Sequence, residues 1–256
     1  CDWSSDVCSS DLADNYSNGE SIIEPRDDYY VYLYQHNDGR QIAYAGDQAN
    51  VQEWGRLYNW HAVNDERGLC PSGWHVPSNA DWDYLLDHLG GANVAGQLLA
   101  DNNGWFAPNV GLEGTTGFNA PGSGYQPNGS NGSRQANQAA WFWSSDILTS
   151  SSAWAHEIRN PLLEVDRDTR APNYGLSVRC IKDGSLAGCT DPNFIEYQSW
   201  ATEDDGSCAT AVVQGCTNDL ATNFDPTANF DNGSCEGLGA CAGQLAFTYD
   251  SYQYPL

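Results

Sequence analysis

The chain has 256 residues, with 34 acidic against 10 basic side chains and a net charge of −24. So strong an acidic excess repels phosphate backbones and anionic membrane surfaces, which excludes nucleic acid as an expected partner. No run approaches the roughly 18 apolar residues of a membrane span, so direct insertion of this stretch into a bilayer is not expected.

The first twelve residues, CDWSSDVCSSDL, resemble the peptide produced when a sequencing adapter is read through as coding sequence, so residues 1–12 are set aside from the fold. Of nine cysteines, Cys1 and Cys8 then fall outside any disulfide framework and seven remain, 9 − 2 = 7. Their spacing fits neither a zinc site nor a Cys-x-x-Cys pair, which points to disulfides in an oxidising compartment.

From residue 13 to 183 the pattern is that of one module. Strand-like runs at 29–34 and 41–45 flank Asn37-Asp38-Gly39, a hairpin turn sequence, and a third run covers 56–63. Residues 77–90 then read as a helix: Ser78 or Asn79 can cap it, acids fill its first turn, and Gly90 stops it. Trp82, Leu85, Leu86 and Leu89 recur at helical spacing and form its apolar stripe. A second short helix is expected over 93–99.

Gly, Asn, Pro and Ser dominate 101–137, broken by Trp105, Phe106, Phe118 and Tyr125. A polar stretch of this length is the usual home of binding residues. Three strand candidates close the module, at 140–144, 152–159 and 174–181. Strands, then helices, then strands imply an α+β domain with antiparallel strands and one or two helices. Alternation along 140–144 puts Trp141 and Trp143 on one side of a strand, where burial against Trp82 and Leu86 is the plain expectation.

A tandem repeat follows. Gly188-Cys189-Thr190-Asp191 runs to Asp204-Asp205-Gly206-Ser207-Cys208, and Gly215-Cys216-Thr217-Asn218 runs to Asp231-Asn232-Gly233-Ser234-Cys235. The period is 27 for the first cysteine, 216 − 189, and for the second, 235 − 208. The units 188–208 and 215–235 are too small to bury a core. Each is expected to be stapled by its own disulfide, Cys189–Cys208 and Cys216–Cys235, contributing about 3 kcal/mol apiece. Residues 241–256 hold a fresh run of alternating aromatic and polar residues and read as the truncated start of a further domain.

The run Gly55-Arg56-Leu57-Tyr58-Asn59-Trp60-His61-Ala62-Val63, followed by Gly68-Leu69-Cys70-Pro71-Ser72-Gly73-Trp74-His75-Val76-Pro77-Ser78, resembles the Fibrobacter succinogenes major paralogous domain. Phe142-Trp143-Ser144-Ser145, Ala153-Trp154 and Gly175-Leu176-Ser177-Val178-Arg179-Cys180 are similar to later pieces of the same family, in the same order. The resemblance covers most of 13–183 and implies an extracellular domain of bacterial surface proteins and lipoproteins. It further implies a C-type lectin-like layout, shared with the formylglycine-generating enzyme fold, in which a cysteine before the helix pairs with one in the last strand. Those positions are Cys70 and Cys180, and closing their loop would add about 4–5 kcal/mol. Residues 241–254 look like the beginning of another copy of this domain, and the Gly-Cys-Thr-Asp units resemble tandem cysteine repeats of large secreted Bacteroidetes proteins.

Trp105, Tyr125 and Trp154 carry flat faces of the kind that stack on sugar rings, and with Asn128 in the polar stretch they are the candidate ligand-binding residues. C-type lectins bridge sugars through calcium with a Glu-Pro-Asn-like motif. Only Gln126-Pro127-Asn128 approaches it, which argues against that mode in the main domain. Calcium remains a candidate cofactor in the repeats, where Asp191, Asp204, Asp205, Asp225, Asp231 and Asn232 gather oxygens. Asp or Asn before Gly is equally the ordinary way to build a turn.

His61 and His75 lack a third ligand at zinc spacing. The acid pairs Asp81 with Asp83 and Glu164 with Asp166 do not make a glycosidase case, since acids in a first helical turn usually serve its dipole. No nucleophile stands beside a base, so an enzyme is not expected. The expectation is an adhesion or carbohydrate-binding module on the outer surface of a bacterium, with a polysaccharide or cell-surface glycan as partner. The alternative is a self-associating stalk or filament subunit without a glycan ligand.

Overall fold

The computed structural model describes residues 15–24, 37–101, 104–106, 116–127, 132–161, 164–184 and 186–237. Residues 1–12, the strand expected over 29–34, Asn128 and the segment 241–256 lie outside the described residues. The chain divides into two compact units: Cys1–Leu186 with Ser199–Thr202, and Ala187–Gln198 with Glu203–Leu256.

The first unit is mixed α+β. Strand β1 (Gln41–Ala43) pairs antiparallel with β2 (Arg56–Tyr58), with the short α1 (Val51–Trp54) between them. The expected strand over 56–63 therefore stops early. Asn59 is the reason: its side chain accepts from the Ala62 N–H and so caps α2 (Trp60–Val63). β3 (Trp74–His75) leads into α3 (Asn79–His88). Ser78 caps α3 in a reciprocal box, accepting from Asp81 N while the Asp81 carboxylate accepts from Ser78 N at 2.9 Å. α4 (Ala92–Leu99) follows, near the second helix expected.

A three-stranded antiparallel sheet forms the centre, built from β4 (Ala139–Thr149), β5 (Ser152–Arg159) and β6 (Glu164–Arg170). Both faces are covered. Ala139, Trp141 and Trp143 point to a core with Tyr58, Trp60, Leu69, Leu176 and Val178. Ala140 and Phe142 point the other way, to Trp82, Leu85, Leu86, Leu99, Phe118, Ile158 and Val165. Burial on both faces is why the start of β4 is a continuous apolar run. Trp141 and Trp143 are core residues, but on the face opposite Trp82 and Leu86, which corrects the expected packing. The Trp143 indole N–H donates to Tyr58 O at 2.7 Å.

Two further corrections concern strands. β6 was not anticipated, because Glu-Val-Asp-Arg-Asp-Thr-Arg contains one apolar residue, Val165, which alone faces the core. Residues 174–181 are not a regular strand. Gly175 exchanges hydrogen bonds with Gln126, Leu176 with Tyr58, and Ser177 with Trp141 and Trp143, so the segment threads between three partners and cannot run a ladder with one. Only β7 (Ile181–Lys182) is strand, paired antiparallel with β3. The Cys70–Cys180 disulfide is formed inside the core, with Cα atoms 5.8 Å apart and a sequence separation of 110.

In the second unit, β8 (Ala187–Gly188) pairs with β9 (Glu203–Asp204), and β10 (Gln214–Gly215) with β11 (Phe230–Asp231). The repeat is as regular in structure as in sequence. Cys189 bridges to Tyr197 and Cys216 to Phe224, and 224 − 197 is 27. The Cys189–Cys208 and Cys216–Cys235 disulfides are both formed. Among the described residues, no helix is long and apolar enough to cross a membrane.

Candidate functional site

The expected aromatic site does not assemble. Trp105 is 6% exposed and packs in the core with Trp82 and Phe118, and its indole N–H donates to Ala120 O at 3.0 Å. It is a core residue, with no face open to a sugar. Tyr125 is partly buried against Trp141, edge-on at 5.8 Å, and parallel to Tyr174 at 6.1 Å. Trp154 is half-buried on β5, and alternation places it with His156 and Ile158 on the sheet face opposite Trp141. Tyr125 and Trp154 therefore belong to different faces of the sheet.

The calcium candidates are turn builders in the structure. The carboxylate of Asp191 accepts from Asn193 N, that of Asp204 from Gly206 N, and that of Asp205 from Ser207 N, each at 2.9 Å. Asp225 accepts from Thr227 N and Oγ1, Asp231 from Gly233 N, and the Asn232 carbonyl from Ser234 N. These are Asx turns, in which the side chain holds its own backbone two residues on. Among the described residues, no group of three His, Cys, Asp or Glu side chains converges as a metal site. His75 lies between Asp183, at 2.7 Å, and Asp81, at 3.3 Å, and ties β3 to the start of α3.

What the first unit does present is a polar cleft of about 430 Å³, lined by Asn37, Asp38, Gly39, His61, Asn64, Asp65, Glu66 and Arg67. Two loops form it, and buried Asn59 joins them. The Asn59 carbonyl accepts from Arg40 N and Ala62 N, while its amide donates to Asp38 O. Gly39 is required at this crossing. A Cβ there would collide with the Tyr16 hydroxyl and lie 2.9 Å from Ala62 Cα.

Two carboxylates on the cleft are gripped in the same way. Asp38 accepts from Arg40 Nε and Nη2 at 2.7 and 3.0 Å, and Asp65 from Arg67 Nε and Nη2, both at 2.7 Å. Such bidentate pairs fix the carboxylate plane. Hydrogen bonds from Arg67 hold Asp65 down to about 2, so it stays ionised, and the same bonds raise the Arg67 guanidinium. Arg67 also reaches Glu20 at 3.0 Å and lies 3.9 Å above the Tyr16 ring. Burial, and then the Asp65 carboxylate, push the Tyr16 hydroxyl up to about 12. His61 is oriented by Asn173, 3.0 Å from its Nε2.

Sequence reasoning missed this cleft. Its signal was the Asp-x-Arg spacing, present at Asp38-Gly39-Arg40 and Asp65-Glu66-Arg67 in a chain with 10 basic residues. The same spacing pairs Asp168 with Arg170 on β6.

A mixed α+β unit with a double-sided central sheet, one long-range disulfide and an open polar cleft defines a disulfide-bonded α+β module. Residues 11–182 match the Fibrobacter succinogenes major domain, 172 of 256 residues (182 − 11 + 1), and the chain belongs to that family. No curated protein and no solved structure matches the chain.

Proposed function

We propose that this chain is an extracellular glycan-binding module of a bacterial surface protein, built on a C-type lectin-like plan and carried on disulfide-stapled spacer repeats. The observation that carries the reading is the cleft. Two carboxylates preorganised by their own arginines stand beside the amides of Asn37 and Asn64 and the His61 imidazole. Carboxylates held in this way, with amide groups beside them, suit the adjacent hydroxyls of a sugar, because the acceptors lose little side-chain freedom on binding. The Cys70–Cys180 bridge agrees with the lectin-like plan and, with the two repeat disulfides, with an oxidising location.

The test is binding of the full chain to a panel of soluble and insoluble polysaccharides, with Asn64→Ala and Asn37→Ala as cleft variants. Loss of binding in both variants, with unchanged melting curves, is the expected result. No retention on any glycan would remove the reading.

A second reading, the structural stalk, has its own support in the second unit. The linker between repeats is hydrogen-bonded to both. Val212 N donates to Asn193 O and Thr210 N to the Glu196 carboxylate in the first repeat, while Val213 N and Ala211 O engage the Asn229 amide in the second. A linker held on both sides makes a stiff spacer. Concentration-dependent assembly in sedimentation, without any glycan, would favour this role.

A further inference from the structure

We propose that the cleft selects sugars bearing a free amine over neutral and acidic sugars of the same size, an inference that rests on the glycan-binding reading. The argument is charge counted around fixed groups. Asp38 is balanced by Arg40. Asp65 and Glu20 share the single guanidinium of Arg67. Glu66 lines the same cleft, is exposed, and is paired with no cation among the described residues. Among the described residues, four carboxylates in and beside the cleft thus share two guanidinium groups.

Both arginines are held by carboxylates on the cleft itself, and Arg67 is additionally pinned on Tyr16. Neither is available to receive the carboxylate of a uronic acid. An acidic sugar would meet Glu66 and the uncompensated share of the Asp65 and Glu20 pair. A neutral sugar would find hydrogen-bond partners in Asn37, Asn64 and His61 but leave Glu66 without a counter-charge. An ammonium group on the ring satisfies both, because the hydroxyls take the fixed polar groups and the amine takes Glu66. The net charge of −24 adds a long-range attraction for the same sign of ligand, which salt weakens.

The experiment is titration of the full chain with three trisaccharides, of glucosamine, of N-acetylglucosamine and of a uronic acid, at low salt and at about 0.5 M salt. Glucosamine trisaccharide is expected to bind tightest and the uronate weakest. Glu66→Gln should shrink the advantage of the amine over the N-acetyl sugar by roughly two- to fivefold. Glu203→Gln, an exposed acid in the other unit, should leave it unchanged and so separates the cleft from the overall field. An amine preference equal in wild type and Glu66→Gln, or a uronate bound as tightly as the amine, overturns the inference while leaving a glycan-binding cleft in place. If no polysaccharide of the wider panel binds, the cleft reading falls, and this inference falls with it.

Discussion

His156 stacks on Trp82 with ring centroids 4.5 Å apart and planes 15° from parallel, and both side chains are at 0% exposure where β5 meets α3. Burial drives the imidazole from 6.5 down to about 3, so the folded protein keeps it neutral. Arg167 Nε donates to its Nε2 at 3.4 Å, which leaves the ring proton on Nδ1.

The sign of the resulting pH dependence follows. Above about pH 6.5 the ring is neutral in both states and has no effect on the equilibrium. Below that, the unfolded chain binds a proton that the folded one refuses, and stability falls by up to about 1.4 kcal/mol per pH unit until about pH 3. Urea midpoints at pH 7 and 5 should show this fall. His156→Phe keeps a ring against Trp82 and should flatten it. Equal slopes in the two proteins would clear the imidazole of the effect.

The Cys70–Cys180 bridge closes a loop of 110 residues within the core. Replacing both cysteines by serine should cost the first unit about 4–5 kcal/mol, most of it from the freer unfolded chain. Thermal unfolding followed by tryptophan fluorescence measures it, and a loss below about 1 kcal/mol would mean that the core alone holds these segments together.

Helix boundaries, the β5 strand and the two repeat disulfides were legible because each rests on local chemistry or on spacing, whereas the Cys70–Cys180 pairing came from the family resemblance. Ser78 and Gly90 bound a helix with Trp82, Leu85 and Leu86 on one stripe, and the cysteines recur at 27 residues. What escaped was decided by partners distant in sequence. β6 is a strand because β5 supplies its ladder, not because its own residues are apolar. Trp141 faces away from Trp82 because Tyr58 and Leu176 arrive on its side. The cleft was invisible for the same reason, since Asn59 joins two loops that sequence reasoning treats separately.

Trp105 offers a direct contrast between core and ligand roles. With its ring buried beside Phe118 and its N–H on Ala120 O, Trp105→Ala should destabilise the first unit by about 3–5 kcal/mol. Its effect on any glycan affinity, measured on the remaining folded fraction, should be small. A variant of normal melting temperature that has lost binding would return Trp105 to the ligand.

In the repeats, the buried apolar residues of the second unit are Cys189, Cys216 and Ala221 among the described residues, so little besides the disulfides and Asx turns holds the fold. The hydroxyl and backbone N–H of Ser207 hold Asp205 below its usual range, and those of Thr227 do the same for Asp225. Both groups therefore favour the folded repeats above the ordinary carboxylate range, and that contribution is lost as pH falls through it. Their oxygens already serve the turns, so calcium or a chelator is expected to leave the repeats' unfolding unchanged. A calcium-dependent rise of roughly 4 °C or more, the shift that about 1 kcal/mol of ligand stabilisation produces in a small domain, would put a metal back among these residues. Replacing Cys216 and Cys235 by serine should instead cost about 3 kcal/mol. Hydrogen exchange would register that loss as faster exchange across the second repeat at any calcium concentration.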